Sequence, residues 1–369
     1  MAMNKKKWIV MLSVVLSACM LLTACSRVRR KRSDSEAGQN TMLRSMTTTT
    51  MFSNEDQPQS VVTMEYDENG LITRVSGTAN GEEQSMPIEY RFDMNGNPVG
   101  FSMEMDGQAI SVGIENRYEN GGIVEAVITS ITTDGEEMLS GDVSSDRTAE
   151  AARASAAAYA LQMIQRFTGY RNCTLRVKNT DDEIRNENGR TVFSYTSYGT
   201  SAQSTEAAYG ADGSVRSVSS VYDLSDGKKE LMSSTGILTD ADLYQREISM
   251  YVPMYEGTAT ITIRYEDGTD PDTGARIRIG KVGSIDMPED MREAAGSQLD
   301  MIRNMPVFRV TLDDRGRIVK TETADEYALM LGGNKTVLIF DEMRRPIRQE
   351  TQVPMSGRTY QTIVEYVYR

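Results

Sequence analysis

The sequence predicts a mainly β protein: an antiparallel meander that curves into a sheet or half-open barrel, with two amphipathic helices near 146–168 and 287–304. Three observations predict it. Short runs rich in Thr, Val, Ile and Tyr alternate apolar with polar, as a sheet with one buried face requires. Asn-Gly at 69, 80, 95, 120 and 188 and Asp-Gly at 106, 134, 212, 226 and 267 punctuate those runs. Such dipeptides accept positive φ at both centres of a type I′ hairpin turn. Only two segments show a helical period instead.

The chain opens on Lys5, Lys6 and Lys7, followed by an apolar run from Trp8 to Leu22. As a helix that run spans about 22 Å, short of the ~30 Å hydrocarbon core, so it reads as the h-region of an export signal. It ends in Leu22-Thr23-Ala24-Cys25. That segment resembles the lipobox of bacterial lipoproteins, although small residues also precede ordinary secretory cleavage sites. The resemblance implies a signal peptide over 1–24 and a diacylated Cys25 as first residue of the mature chain. It also implies anchoring to the cell envelope, facing outside the cytoplasm: the cell membrane, or the outer membrane in a diderm. Arg27, Arg29, Arg30, Lys31 and Arg32 follow, either as a supplement to the acyl chains at an anionic surface or as a soluble basic spacer. Residues 25–60, polar and without apolar period, read as a lipidated, basic and flexible tether.

The body is expected over 61–369. Its first runs are VVTMEY (61–66), LITRVSGT (71–78), PIEYRFD (87–93) and VGFSMEM (99–105). A helix follows at 146–168: Ser145 or Asp146 caps it, alanines supply propensity, and Gly169 ends it. This helix is the natural punctuation if the body has two lobes divided near 141–170. Strand-like runs resume with TLRVKN (174–179) and continue through ARIRIGKV (275–282). The second helix opens with Asp286 and Glu289 at capping-box spacing and stops before Pro306. Three further runs close the chain, the last being TYQTIVEYVY (359–368). The reading favours one strongly curved sheet with the helices on its concave face.

Composition excludes several functions. The net charge is −13, and the signal carries three lysines and no acids, so the mature chain stands near −16. General nucleic-acid binding, which needs a basic footprint, is not expected. There is no histidine, and the one tryptophan, Trp8, lies in the signal. Histidine triads and histidine-ligated zinc are therefore excluded. Beyond Cys19 and Cys25 only Cys173 remains, read as a buried small hydrophobe.

No nucleophile elbow, phosphate loop or dinucleotide fingerprint occurs. Ser225-Asp226-Gly227-Lys228 fits S-x-x-K, but an Asp-Gly turn fills its middle. Acids are abundant, so a carboxylate hydrolase stays as a third reading. The loops at Asp67 and Asp93 fail the EF-hand spacing, having Gly at the fourth position and not the sixth. The densest acid cluster, Asp267, Asp270 and Asp272, is a weak calcium candidate beside its reading as a solvated hairpin loop. No cofactor and no catalytic residue is expected.

One unit recurs: YDENGLI from Tyr66, FDMNGNP from Phe92 and LDDRGRI from Leu312. It is similar to the hairpins of YD-repeat proteins and of hairpin lipoproteins of gut bacteria, and the resemblance implies only the hairpin. The 24 methionines suit either an adaptable apolar surface or simple core filling. The leading reading is a non-enzymatic lipoprotein that binds a lipid or other amphiphile on a curved sheet, in design like half-barrel lipoprotein carriers. The alternative is an envelope structural module, or one that binds a protein or glycan.

Overall fold

The run LRSMTTTTMF, Leu43–Phe52, is the first strand (β1). Its four consecutive threonines are β-branched and stiff at χ1, which favours extended backbone. Met46, Thr48 and Thr50 point to the buried side at period two. β1 pairs antiparallel with β2 (Ser60–Tyr66) on one side and with the last strand (Arg358–Tyr368) on the other. This corrects the tether boundary: Leu43–Phe52 belongs to the folded body, because its β-branched threonines and period-two burial make a strand where composition alone suggested a polar linker.

The computed structural model describes residues 43–52, 58–79, 82–105, 107–139, 147–225, 227–253, 256–296, 298–330, 333–355 and 358–369. The expected signal over 1–24, Cys25, the basic cluster, the expected caps Ser145 and Asp146, and Asn80, Asp106, Asp226 and Met254 lie outside them.

The first half continues with β3 (Ile72–Ala79), β4 (Glu82–Pro87), β5 (Glu89–Phe92), β6 (Pro98–Met105), β7 (Gln108–Glu119), β8 (Gly122–Thr133) and β9 (Glu136–Glu137). Helix α1 (Arg147–Ile164) intervenes. Then come β10 (Thr174–Val177), β11 (Glu183–Glu187), β12 (Arg190–Tyr198), β13 (Ser201–Tyr209), β14 (Val215–Asp223), β15 (Glu230–Thr239) and β16 (Gln245–Val252). β17 (Gly257–Thr269) and β18 (Arg276–Asp286) precede α2 (Glu289–Ala295) and α3 (Gln298–Ile302). The remainder is β19 (Pro306–Leu312), β20 (Ile318–Thr323), α4 (Asp325–Met330), β21 (Lys335–Phe340), β22 (Pro346–Met355) and β23 (Arg358–Tyr368).

Hydrogen-bonded ladders join all these strands into one sheet that nearly closes on itself. Each strand pairs with its chain neighbour, and β23 returns to β1. β4 and β5 form one extended run that changes partner at Ile88. Up to Pro87 the run pairs with β3, the Ile88 amide donates to Thr73 O, and from Glu89 it pairs with β6. The meander is antiparallel except for one pair: β10 lies parallel to β8. A parallel neighbour needs a long crossover, and α1 is that crossover. The sheet therefore runs continuously past 141–170.

The C-terminal half of α1 is buried: Ala157, Ala158, Ala160, Leu161, Met163 and Ile164 are each at most 1% exposed. It packs against β8, β10 and β12, with Met46, Met64, Met86 and Met103 in the same cluster. Those methionines fill core. A second core gathers Ile248, Ile261, Ile263, Val282 and Phe308 under Tyr327 of α4. The turn residues Leu243 and Tyr244 cap a third cluster with Val310, Leu312 and Ile318.

The second predicted helix is two short ones. Gly296, at φ 48°, ends α2, and no side chain caps its start at Pro288, so the Asp286/Glu289 capping box does not form.

The recurring turn also differs from expectation. At Asp67 the turn is a three-residue loop, not a two-residue type I′ turn. The Asp67 amide donates to Leu71 O, and the Gly70 amide donates to Asp67 O. Asp67 Oδ1 accepts from the amides of Asn69 and Leu71 at 2.9 and 2.8 Å. The same bonds recur at Asp93, Asp240, Asp313 and Asp341. The fourth residue has positive φ each time, including Leu243 and Arg344, which are not glycine. This is the turn-plus-bulge hairpin, and the ladder shifts register beside it. True two-residue turns stand at Asn120-Gly121, Asp134-Gly135 and Asn188-Gly189, with both residues at positive φ. Asp267-Gly268 is no turn; both residues lie within β17.

Candidate functional site

Two of the three calcium candidates, Asp267 and Asp270, have their carboxylates engaged by other groups. Asp267 accepts from Arg278 Nε at 2.6 Å. Asp270 is ion-paired with Arg309, and its Oδ1 accepts from the amides of Asp272 and Thr273. Among the described residues no group of three or more acids and cysteines is placed to hold a metal. The acids at the recurrent turns serve those turns: in three copies an arginine Nε ties the second carboxylate oxygen at 2.7 Å. Cys173 is 2% exposed, and burial, then the Glu125 charge, pushes its thiol up to about 12. Such a thiol is a poor nucleophile.

Chemistry-bearing side chains gather instead on one face of β10–β14. Register defines it: Glu125 is on β8, Arg176 opposes Glu183, and Glu183 opposes Tyr195. An ion-pair row crosses the strands. Arg117 reaches Glu125 at 3.1 Å, Arg176 reaches Glu125 at 3.7 Å and Glu183 at 3.0 Å, and Arg185 reaches Glu183 at 3.0 Å. The arginines are half exposed, so solvent screens these pairs and they add little to stability. The row's chief effect is to keep this face wet.

Aromatic rings follow on the neighbouring strands, each under a cation. The Arg185 guanidinium lies 4.5 Å from the Phe193 ring centre, and that of Arg190 4.7 Å from the Tyr209 ring. Lys229 Nζ sits 4.1 Å from the Tyr195 ring and 4.2 Å from the Tyr222 ring. A groove of about 560 Å³ runs along the β11–β12 hairpin to the end of β13, lined by Arg185, Arg190, Phe193, Glu206, Ala208 and Tyr209. It offers flat rings, guanidinium donors and carboxylate acceptors together, which suits a partner with both polar and apolar surface.

Beside this face Asp182 is 1% exposed. Its Oδ1 accepts from the Ser197 amide at 2.6 Å and from Ser197 Oγ at 2.9 Å, while Oδ2 has no partner. Burial raises its pKa to about 6, against the lowering effect of the Ser197 bonds.

Sequence reasoning did not find this face. Its residues come from several strands and carry no local motif; only the two-residue turn at Asn188-Gly189, which aligns Arg185 with Phe193, was legible beforehand.

No family model matches the chain, and no curated protein does. Among solved structures, a porin-like protein from Bacteroides uniformis is 12% identical, with 89% of this chain and 99% of that chain covered and a TM-score of 0.19. A porin-like protein from Bacteroides vulgatus is also 12% identical over the same shares, with a TM-score of 0.20. At such scores the likeness carries no argument about this chain. No helix among the described residues is long and apolar enough to cross a membrane, which leaves strands out of account.

Proposed function

We propose that the protein is a lipid-anchored, non-enzymatic envelope module that binds a protein or glycan on its Tyr195 face. The observation that carries this is the position of α1. An amphiphile carrier needs a free apolar sheet face, and α1 covers the part of the sheet made by β8, β10 and β12. Phe101, Met46, Met64, Ile128, Leu161, Met163 and Leu175 are each under 2% exposed, leaving no room for even a water beside them. The charged row of Arg117, Glu125, Arg176 and Glu183 supports contact with water and polar partners, since lipid-facing strand surfaces are apolar bands. Attachment through diacylated Cys25 is part of the proposal and follows from the lipobox.

Proximity labelling in the native host tests it, with wild type beside an Arg190→Ala/Phe193→Ala double variant. A partner enriched by wild type and lost from the variant is the expected result; equal enrichment overturns it. Native mass spectrometry after exposure to a membrane extract is the second arm. A retained apolar ligand would restore the amphiphile reading.

A further inference from the structure

We propose that Tyr195 and Tyr222 form a binding site for a methylated ammonium group, and that Lys229 of the same chain occupies it while no ligand is bound. The inference rests on the reading of the Tyr195 face as a contact surface and gives that surface a ligand chemistry.

The ladder builds the cage. Tyr195 opposes Ser204, and Ser204 opposes Ser220. Tyr222 stands two residues after Ser220 in an unbroken β13–β14 register, opposite Ala202, so strand alternation puts it on the same face as Tyr195. The residues between the rings are serines, so no bulky side chain keeps them apart. Their centroids lie 6.3 Å apart, with the planes tilted 47°. The Tyr222 hydroxyl sits 3.3 Å from Ser204 Oγ, which limits rotation of that ring. Lys229 Nζ is nearly equidistant from the two ring centres.

The surroundings favour a cation. Ring faces are negative. The Tyr195 phenol is raised above its ordinary pKa first by burial and then by the charges of Asp181 and Asp182, which places both carboxylates within electrostatic reach. Asp182 is itself buried with one oxygen unpartnered.

Lys229 is a displaceable occupant. It stands at the exposed end of the loop between β14 and β15, beside exposed Lys228 and Glu230. A primary ammonium is compact and strongly hydrated, and its flexible stem loses rotamer freedom when held. A methylated ammonium is weakly hydrated, and its methyls pack on both ring faces, which is why aromatic cages select it.

The test uses the mature chain with ring-labelled tyrosine, followed by NMR during titration with tetramethylammonium. Wild type is compared with Lys229→Ala and with Tyr222→Ala. Expected are saturable shifts of Tyr195 and Tyr222 in wild type, and affinity two- to fivefold higher in Lys229→Ala, the factor matching an exposed cation–π contact of about 0.5–1 kcal/mol. Tyr222→Ala should lose the response. Equal affinity in wild type and Lys229→Ala overturns the resident-cation assignment. Absence of shifts in Lys229→Ala, or unchanged binding in Tyr222→Ala, overturns the site. Phosphocholine and phosphatidylcholine vesicles, beside phosphatidylglycerol vesicles, distinguish a soluble from a lipid-borne head group. If the cage fails while Arg190→Ala/Phe193→Ala still loses its labelled partner, only this inference falls.

Discussion

Gly70 and Gly96 occupy the same place in two copies of one turn, at φ 82° and 77°, yet they are not equivalent. A Cβ on Gly96 meets nothing within 4 Å, whereas one on Gly70 lies 2.3 Å from Arg166 O. The Asp67 turn is docked against the end of α1, where the Thr168 amide donates to Asn69 O. Gly96→Ala should therefore cost about 1–2 kcal/mol, the penalty for left-handed backbone. Gly70→Ala adds a clash with backbone and should cost clearly more in urea denaturation; equal costs would contradict the docking. Asp182 provides a second test. Its pKa is about 6 in the folded protein and about 3.9 unfolded. The folded state thus binds more protons between those values, and the group's contribution to stability falls as pH rises from 4 to 6. Lowered acids such as Asp93, held down by the Tyr118 hydroxyl, act in the opposite sense. The informative quantity is the difference from Asp182→Asn: relative to wild type the variant should gain about 2–3 kcal/mol between pH 4 and pH 7. A constant difference over that range would exclude the shift.

At the scale of elements, α1 was legible and its environment was not. Alanine spacing announces a helix, but the same pattern suits a helix lying on a sheet with one face wet. Burial of Ala157, Ala158 and Ala160 at once shows that the helix is covered on more than one side: it packs on β8, β10 and β12 and shares a cluster with Met46, Met64 and Val364. Ala157→Leu should then overpack the enclosure and cost about 1–3 kcal/mol, read as a lower urea midpoint at unchanged slope. A neutral result would mean space beside the helix and would reopen the amphiphile reading. Turns were half legible. Asp-x-x-Gly spacing marked Asp67, Asp93 and Asp313, while Asp240 and Asp341 were hidden because Leu243 and Arg344 take the left-handed position. Asp supplies the shared signal in these five copies, since its carboxylate accepts two amides.

Across the whole molecule, closure depends on β1. It joins β2 to β23 and places Met46 in the core that contains Val364 and Tyr366. Removing Leu43–Phe52 should open the ring and leave β2 and β23 with one partner each, β3 and β22. The expected outcome is fast amide hydrogen exchange throughout β2 and β23 and loss of the cooperative urea transition; retained protection in β23 would show that closure is dispensable. Strands β12 to β15 contribute no member to the three core clusters. The chain therefore carries its aromatic and cationic groups on the part of the sheet least committed to packing.

The sequence by itself determined the strands, the positions of most hairpins and α1, because side-chain period, β-branching and turn chemistry act over a few residues. It also contains Leu22-Thr23-Ala24-Cys25, the segment that resembles a lipobox. Tertiary structure decided the rest. The β8–β10 parallel step, the partner change at Ile88 and the β1–β23 closure join residues remote in the chain. Their pairing depends on which apolar faces bury each other, which no local pattern encodes. The Tyr195 face arises in the same way: each ring and cation is ordinary in its own strand, and only the register of the ladders brings them together.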